Sequence, residues 1–145
     1  MIPINYLAVL VSVVVLIILG SLWYGPLFGK AYLKEVGITP EDMERFKNDP
    51  EAKKKMNKSY ALMALSSLVM VFVLAHALVF ASSYMHLSGI LAGLEAGFWN
   101  WIGFIVPATL GGVLWENKSW KWFGIVAGYY LVALIVAGCI LALWV

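Results

Sequence analysis

The hydrophobic positions of the chain fall into four long runs separated by polar connections. A helix that crosses a bilayer needs about 20 mostly apolar residues, at a rise of about 1.5 Å per residue. Four stretches meet that requirement, and we predict spans over residues 3–24, 60–84, 89–115 and 122–145. The pattern predicts an all-α fold, an integral membrane four-helix bundle that forms a single domain over residues 1–145.

Aromatic residues mark both ends of these predicted spans. Trp and Tyr favour the headgroup region of a membrane. They cluster at one level at Trp23, Tyr24, Tyr60, Trp115, Trp120 and Trp122, and at the other level at Tyr6, Tyr84 and Trp144. The positions of these aromatic residues support the boundaries that hydropathy gives.

The basic residues predict the orientation. All ten Lys and Arg residues lie in the connection over residues 25–59 or in the one between the third and fourth spans. Because loops rich in Lys and Arg stay in the cytoplasm, we expect both connections inside and both termini outside a prokaryotic plasma membrane. The run Lys53, Lys54 and Lys55 is either a solvated topogenic charge cluster or a site for anionic lipid.

Composition excludes several function classes. The chain is 63% hydrophobic and 12% charged, whereas ordinary soluble domains carry about 25% charged residues. A net charge of +2 is too small to indicate a nucleic-acid partner, and one cysteine rules out a multi-cysteine metal site. Soluble-enzyme motifs are missing, so we expect no enzymatic activity, no cofactor and no metal.

The long connection carries helix signals of its own. Gly25 and Pro26 predict the end of the first helix, and residues 27–36 predict a short amphipathic helix at the interface. Thr39 before Pro40 is typical of a helix start, and Asp49 before Pro50 repeats it. We therefore expect a helical amphipathic cytoplasmic loop between the first two spans.

Two titratable residues lie at membrane depth, where a charge costs about 2.5–3.5 kcal/mol. Glu95 is the only acid inside a predicted span, about 9 Å below the start of the third helix, and Trp99 and Asn100 follow it. His76 lies about 12 Å deep on the second helix. A tight hairpin would bring Glu95 and His76 to similar depth, where they share a proton, bind a cation or form a structural hydrogen bond.

Glycines on the third and fourth helices predict close packing. The small residues Gly89, Gly93, Gly97 and Gly111 share one face of the third helix with Asn100, away from Glu95. Gly124 and Gly128 give the fourth helix a similar face, so we expect the two helices to meet there, with Asn100 bonding across the contact. Pro107 predicts a kink in the third helix.

Four segments resemble one family along nearly the whole chain. They are GSLWYGPLFGK (20–30), EAGFWNWIGFIVP (95–107), VLWENKSWKWF (113–123) and AGYY (127–130). In this order and spacing they resemble the small prokaryotic membrane family catalogued as domain of unknown function 1761. That resemblance implies four membrane helices and supplies no activity.

Two functions remain open on the sequence. An oligomeric small-solute or proton- or ion-coupled transporter or channel is favoured by Glu95 and its neighbours His76, Trp99 and Asn100. We expect a homo-oligomer in that case, because four apolar helices cannot enclose a wet pathway alone. The alternative is a non-catalytic membrane scaffold or accessory subunit that uses its charged connection for contact.

Overall fold

The protein is helical along almost its whole length. A computed structural model describes residues 4–144, and the predicted span ends at residues 3 and 145 lie outside that range. The described part of the chain contains no strand, so the all-α class is confirmed. Its elements are α1 (Tyr6–Leu22), a π-helical turn (Trp23–Leu27), α2 (Gly29–Glu35), α3 (Pro40–Asn48), α4 (Pro50–Met85), α5 (Gly89–Asn100), a second π-helical turn (Trp101–Ile105), α6 (Val106–Trp115) and α7 (Trp120–Leu143).

Four helical stretches are long and apolar enough to cross a membrane, which confirms the number of spans. We call them the first to fourth spans: Tyr6–Leu27, Pro50–Met85, Gly89–Trp115 and Trp120–Leu143. Large apolar side chains such as Leu10, Leu65 and Phe104 are exposed on their outer surface. An outer surface of this kind suits hydrocarbon, and the four spans make this a multi-pass membrane protein.

The second span begins earlier than predicted. α4 runs without a break from Pro50 to Met85, so the helix start predicted at Asp49 and Pro50 belongs to the same helix as the second span. Asp49 explains the early start, because its side chain accepts a hydrogen bond from the Glu51 amide and Pro50 takes the first helical position. α3 begins at Pro40 in the same way, with Thr39 and Asp42 forming a capping box.

The two prolines near the spans lie at π-helical turns. Pro26 does not end the first helix, which continues through Leu27 as a π turn, and the second π turn lies just before Pro107. In each turn an amide donates to a carbonyl five residues back, Phe28 to Trp23 and Val106 to Trp101. The wider turn accommodates a proline because the ring no longer presses on the carbonyl four residues before it.

The core is built mainly from small and branched aliphatic side chains. Ala8, Leu16, Val71 and Leu74 come from the first and second spans and are almost fully buried. The third and fourth spans add mainly alanines and leucines, together with Tyr129, and the contact between α5 and α7 is the most extensive in the bundle. Alanine allows this close approach because it adds so little volume between the helix axes.

Side-chain bonds tie the ends of the bundle. Asn5 donates from Nδ2 to the carbonyl of Trp144, 2.9 Å away, so α1 begins beside the end of α7. At the opposite end Ser119 donates to the carboxylate of Glu35, which also lies 3.9 Å from Nζ of Lys121. The connection between the first two spans is thereby joined to the start of the fourth.

Candidate functional site

Glu95 lies on α5 and is held by its own helix. Its carboxylate oxygen Oε2 accepts a hydrogen bond of 2.7 Å from Nε1 of Trp99, one helical turn further on. The side chain of Glu95 is partly exposed. Among residues 4–144 the ion pair that the structure contains is between Glu35 and Lys121, so no cation neutralises Glu95.

The side chain of Glu95 lines a groove of about 380 Å³ between the second and third spans. Small residues, Ala77, Ala81 and Ala96, make the floor, and aromatic residues together with Met85 make the walls. The residues that line the groove are Ala77, Phe80, Ala81, Tyr84, Met85, Glu95, Ala96, Trp99 and Asn100. Glu95 is the one titratable acid in an otherwise mainly apolar and aromatic surface.

The groove opens sideways, away from the bundle. Phe80 is 76% exposed, Tyr84 81% and Trp99 59%. Ala96 and the neighbouring Ala92 are buried behind them, where α5 meets the rest of the core. Access to the groove is therefore from the outer side of the bundle.

His76 does not meet Glu95. Its ring nitrogen Nδ1 lies 2.8 Å from the carbonyl of Phe72 on the same helix, and its ring stacks edge-on against Phe72 at 4.5 Å. His76 is exposed and is not among the described residues that line the groove. Ala77 takes the groove position instead, because successive residues of a helix point about 100° apart.

Asn100 lies beside Glu95 and makes no bond to another helix. Its Nδ2 donates to the carbonyl of Ala96, 2.8 Å away on its own helix. The side chain lines the groove, so it is not part of the glycine face. The predicted bond from Asn100 across the contact is wrong, because the α5 backbone offers a nearer acceptor.

Only two of the four predicted packing glycines on the third span contact another helix closely. A Cβ on Gly93 would stand 2.5 Å from the carbonyl oxygen of Gly138, and one on Gly97 2.8 Å from that of Leu134. At Gly111 and Gly89 a Cβ would meet nothing within 4 Å, and Gly89 has a positive φ of 62° where the helix starts. Close contact between α5 and α7 is therefore concentrated at Gly93 and Gly97.

On the fourth helix, the residue that packs against Gly93 is Gly138, and the predicted Gly124 and Gly128 do not contact this face. Gly138 meets Gly93, whereas a Cβ on Gly124 would meet nothing within 4 Å, and one on Gly128 would face the ring of Trp23 on the first span. The antiparallel course explains the difference, because the start of α5 lies beside the end of α7. The small residues Gly138 and Ala142, four apart, were the signal in the sequence.

Residues on the second span complete the groove and were missed from the sequence. Phe80 and Tyr84 line it from one side of α4, with Ala77 and Ala81 between them. Pairs of residues four apart share one helix face, so this pattern of two aromatic residues beside two alanines was visible. The pattern indicated that these four residues share one face of α4, but it did not show which helix lies opposite.

Two tryptophans fix the π turns to the fourth span. Trp23 donates from Nε1 to the carbonyl of Ile125 at 3.0 Å, and Trp101 donates to that of Ala127 at 2.8 Å. Each tryptophan is the first residue of its π turn. Both turns therefore dock on neighbouring carbonyls of α7.

A second cavity lies at the end of the bundle where α1 begins and α7 ends. It measures about 320 Å³. The lining is apolar apart from Asn5, Ser82 and Ser88, and the side chain of Asn5 is already used in capping α1 and bonding Trp144. No titratable side chain lines it among the described residues.

The segments that resemble a family meet in the folded chain. Tyr24 of the first segment lies 5.3 Å from Tyr129 of the last, measured between ring centroids, and Gly20 leaves room for the Tyr129 hydroxyl. The chain matches no curated protein and no solved structure. The family described as protein of unknown function (DUF1761) matches residues 7–142, which is nearly all of the chain. The protein therefore belongs to the DUF1761 family.

Proposed function

We propose that the protein is a membrane transporter, without enzymatic activity, in which Glu95 takes up and releases a proton or a cation. The observation that supports this is the position of Glu95 in a groove between two spans, held by Trp99 and facing no cation among the described residues. An acid kept at membrane depth is costly and is retained mainly where it serves transport or pairing.

The transporter works as a homo-oligomer. The groove opens sideways, and the core behind it is sealed by buried residues such as Val71, Leu74 and Ala92. A single copy therefore has no polar route between the two ends of the bundle. A second copy packed beside the groove would add a path along the interface and leave the groove open to the bilayer.

The charged connections lie in the cytoplasm of a prokaryotic cell and the termini lie outside its plasma membrane. The basic residues of both connections support this orientation. The hydrogen bond that Ser119 donates to Glu35 and the ion pair between Lys121 and Glu35 are consistent with two connections on one side. Lys53, Lys54 and Lys55 are exposed near the start of α4, where they contact anionic lipid headgroups.

Proton flux in liposomes tests the transport function. Wild type, Glu95→Gln and the matched control Glu116→Gln are reconstituted, and a pH gradient is imposed with a fluorescent pH indicator inside. Glu116 caps the end of α6 beyond the third span, so its loss should leave flux unchanged. We expect Glu95→Gln to assemble normally and to lose at least nine-tenths of the flux.

Two results would contradict this proposal. One is a wild-type protein that moves neither protons nor a cation under any gradient. The other is a strictly monomeric protein in both mild detergent and lipid, measured by light scattering and by single-molecule bleaching. A Glu95→Gln variant that loses stability but keeps its flux would show that Glu95 has a structural role instead.

An accessory or scaffold role is the second candidate, and one observation favours it. Phe46 on α3 is 48% exposed among charged residues that include Glu41, Glu44 and Arg45. A large apolar ring on a polar helix is typical of a contact surface. Deletion of residues 39–48 should then abolish a partner's co-purification while proton flux and folding stay unchanged; a deletion without phenotype counts against the role.

A further inference from the structure

The groove at Glu95 has the chemistry of a site for an organic cation. Between Tyr60 and Trp115 the sequence contains one acid, Glu95, and no Lys or Arg. This stretch therefore provides no Lys or Arg as a partner for this carboxyl group. A ligand that carries one positive charge would supply the missing partner.

The walls of the groove suit a cation whose charge is spread over a large group. Phe80, Tyr84 and Trp99 line it, and the negative faces of aromatic rings attract cations, most strongly when water is excluded. Met85 adds an adaptable apolar surface. A volume of about 380 Å³ lies within the usual range of small-molecule sites.

An inorganic cation fits this groove poorly. Ca²⁺ takes about six to eight oxygen ligands, and Mg²⁺ takes about six in an octahedral arrangement. Among the described lining residues the groove offers side-chain oxygens from Glu95, Asn100 and Tyr84. These four oxygens, one of which already accepts from Trp99, would leave such a metal ion short of ligands.

The direction of access selects for apolar substituents. The aromatic walls are exposed on the outer side of the spans, so the groove is reached from the hydrocarbon region. A hydrophilic ammonium ion would have to leave water to arrive there. A cation shielded by alkyl or aryl groups partitions into that region readily.

We propose that the groove between the second and third spans binds lipophilic organic cations, with Glu95 as the counter-ion and Phe80, Tyr84 and Trp99 as the aromatic walls. The inference rests on the proposed function, since it names the class of solute that is moved. Trp99 has two roles: its indole forms part of the wall, and its Nε1 fixes the Glu95 carboxylate.

Binding of tetraphenylphosphonium tests the inference directly. Full-length protein in lipid nanodiscs is titrated with radiolabelled ligand by equilibrium dialysis, and partition into empty nanodiscs is subtracted. Tetraphenylborate has the same four phenyl groups with the opposite charge. We expect saturable binding of the cation and none of the anion.

Variants assign the binding to the groove. Glu95→Gln keeps the size and the acceptor for Trp99 and should weaken binding at least tenfold. Trp99→Ala should weaken it to a similar degree, and Trp99→Phe, which keeps a ring, only a few-fold. The matched controls Glu116→Gln and Trp115→Ala lie outside the groove and should bind as wild type does.

Each outcome is decisive. Equal binding of the cation and the anion, or an unchanged affinity in Glu95→Gln, overturns the inference. Proton flux without cation binding also overturns it and leaves the transport function standing. Cation binding without any flux supports the site and contradicts transport.

Discussion

The two sides of α5 meet their neighbours at different distances. Toward the fourth span, the backbone at Gly93 lies so close to Gly138 that no side chain fits between them. Toward the second span, a groove of about 380 Å³ separates the helices and holds Glu95. One helix thus supplies both a contact with no room for a side chain and the groove that holds Glu95.

The largest effect should come from filling the tight contact. In Gly93→Ala the new Cβ would stand 2.5 Å from backbone of Gly138, which cannot move aside as a flexible side chain would. Overpacking of this kind costs about 1–3 kcal/mol. Thermal unfolding in mild detergent, followed by circular dichroism, measures the loss.

Gly124→Ala is the matched control for that change. Its Cβ would meet nothing within 4 Å, so only the helix preference of alanine acts, worth up to about 1 kcal/mol in favour of the variant. If both variants had the same melting temperature, the close packing of α5 on α7 would not contribute to stability as the structure indicates.

A smaller effect should follow from loss of one tryptophan bond. Trp101→Phe removes the donor to the carbonyl of Ala127, and Trp23→Phe removes the donor to that of Ile125. Hydrogen bonds between membrane helices average about 0.6 kcal/mol, so we expect destabilisation of that size in each. The control Trp115→Phe changes a ring that is 85% exposed and should not change the free energy of unfolding. An equal loss of stability in this control would show that the two hydrogen bonds do not stabilise the bundle.

Glu95→Gln should have little effect on stability. The glutamine oxygen still accepts from Trp99, and the groove is open enough to take the amide. We expect a change in unfolding free energy below about 0.5 kcal/mol, as for substitutions outside packed cores. A loss of several kcal/mol in the same unfolding assay would show that the groove is a structural junction like the one at Gly93.

The smallest effect concerns pH and lies outside the spans. Hydrogen bonds from the backbone and side chain of Thr39 lower the pKa of Asp42 below its ordinary value of 3.8. Because the folded value is the lower one, the capping box stabilises α3 at every pH above about 4 and is lost as the pH falls through the folded pKa. Chemical shifts of α3 should stay constant from pH 5 to 9 and change only in more acidic solution.

That result sharpens the test of the groove. A pH-dependent flux between pH 5 and 9 would not arise from Asp42, whose titration is complete below that range. Asp42→Asn should leave such a flux unchanged. A loss of flux in this variant would move the proton-linked step from Glu95 to the connection.

The sequence predicted well what depends on neighbouring residues. Four apolar runs specified the spans, because a helix in lipid must satisfy its own backbone and bury its length in hydrocarbon. The starts of α3 and α4 at Pro40 and Pro50 followed from capping residues next to them. The second span itself was placed only from Tyr60, because the polar stretch before that residue gives no hydropathy signal, although the helix start at Pro50 was predicted.

Most of the predictions that failed depend on distant neighbours. Whether Gly93 meets Gly124 or Gly138 is set by how far the antiparallel α5 and α7 overlap, which no local pattern encodes. Whether His76 or Ala77 faces Glu95 is set by the rotation of α4, and a single residue step turns a helix by about 100°.

By itself, therefore, the sequence determined the four long apolar helices and the presence of one acid within them. Only the tertiary structure decided that Glu95 faces an aromatic groove with Trp99, Phe80 and Tyr84, away from His76. The physical reason is that hydropathy and capping act within a few residues along the chain. Helix rotation and overlap are instead fixed by the summed packing of small residues across the whole bundle.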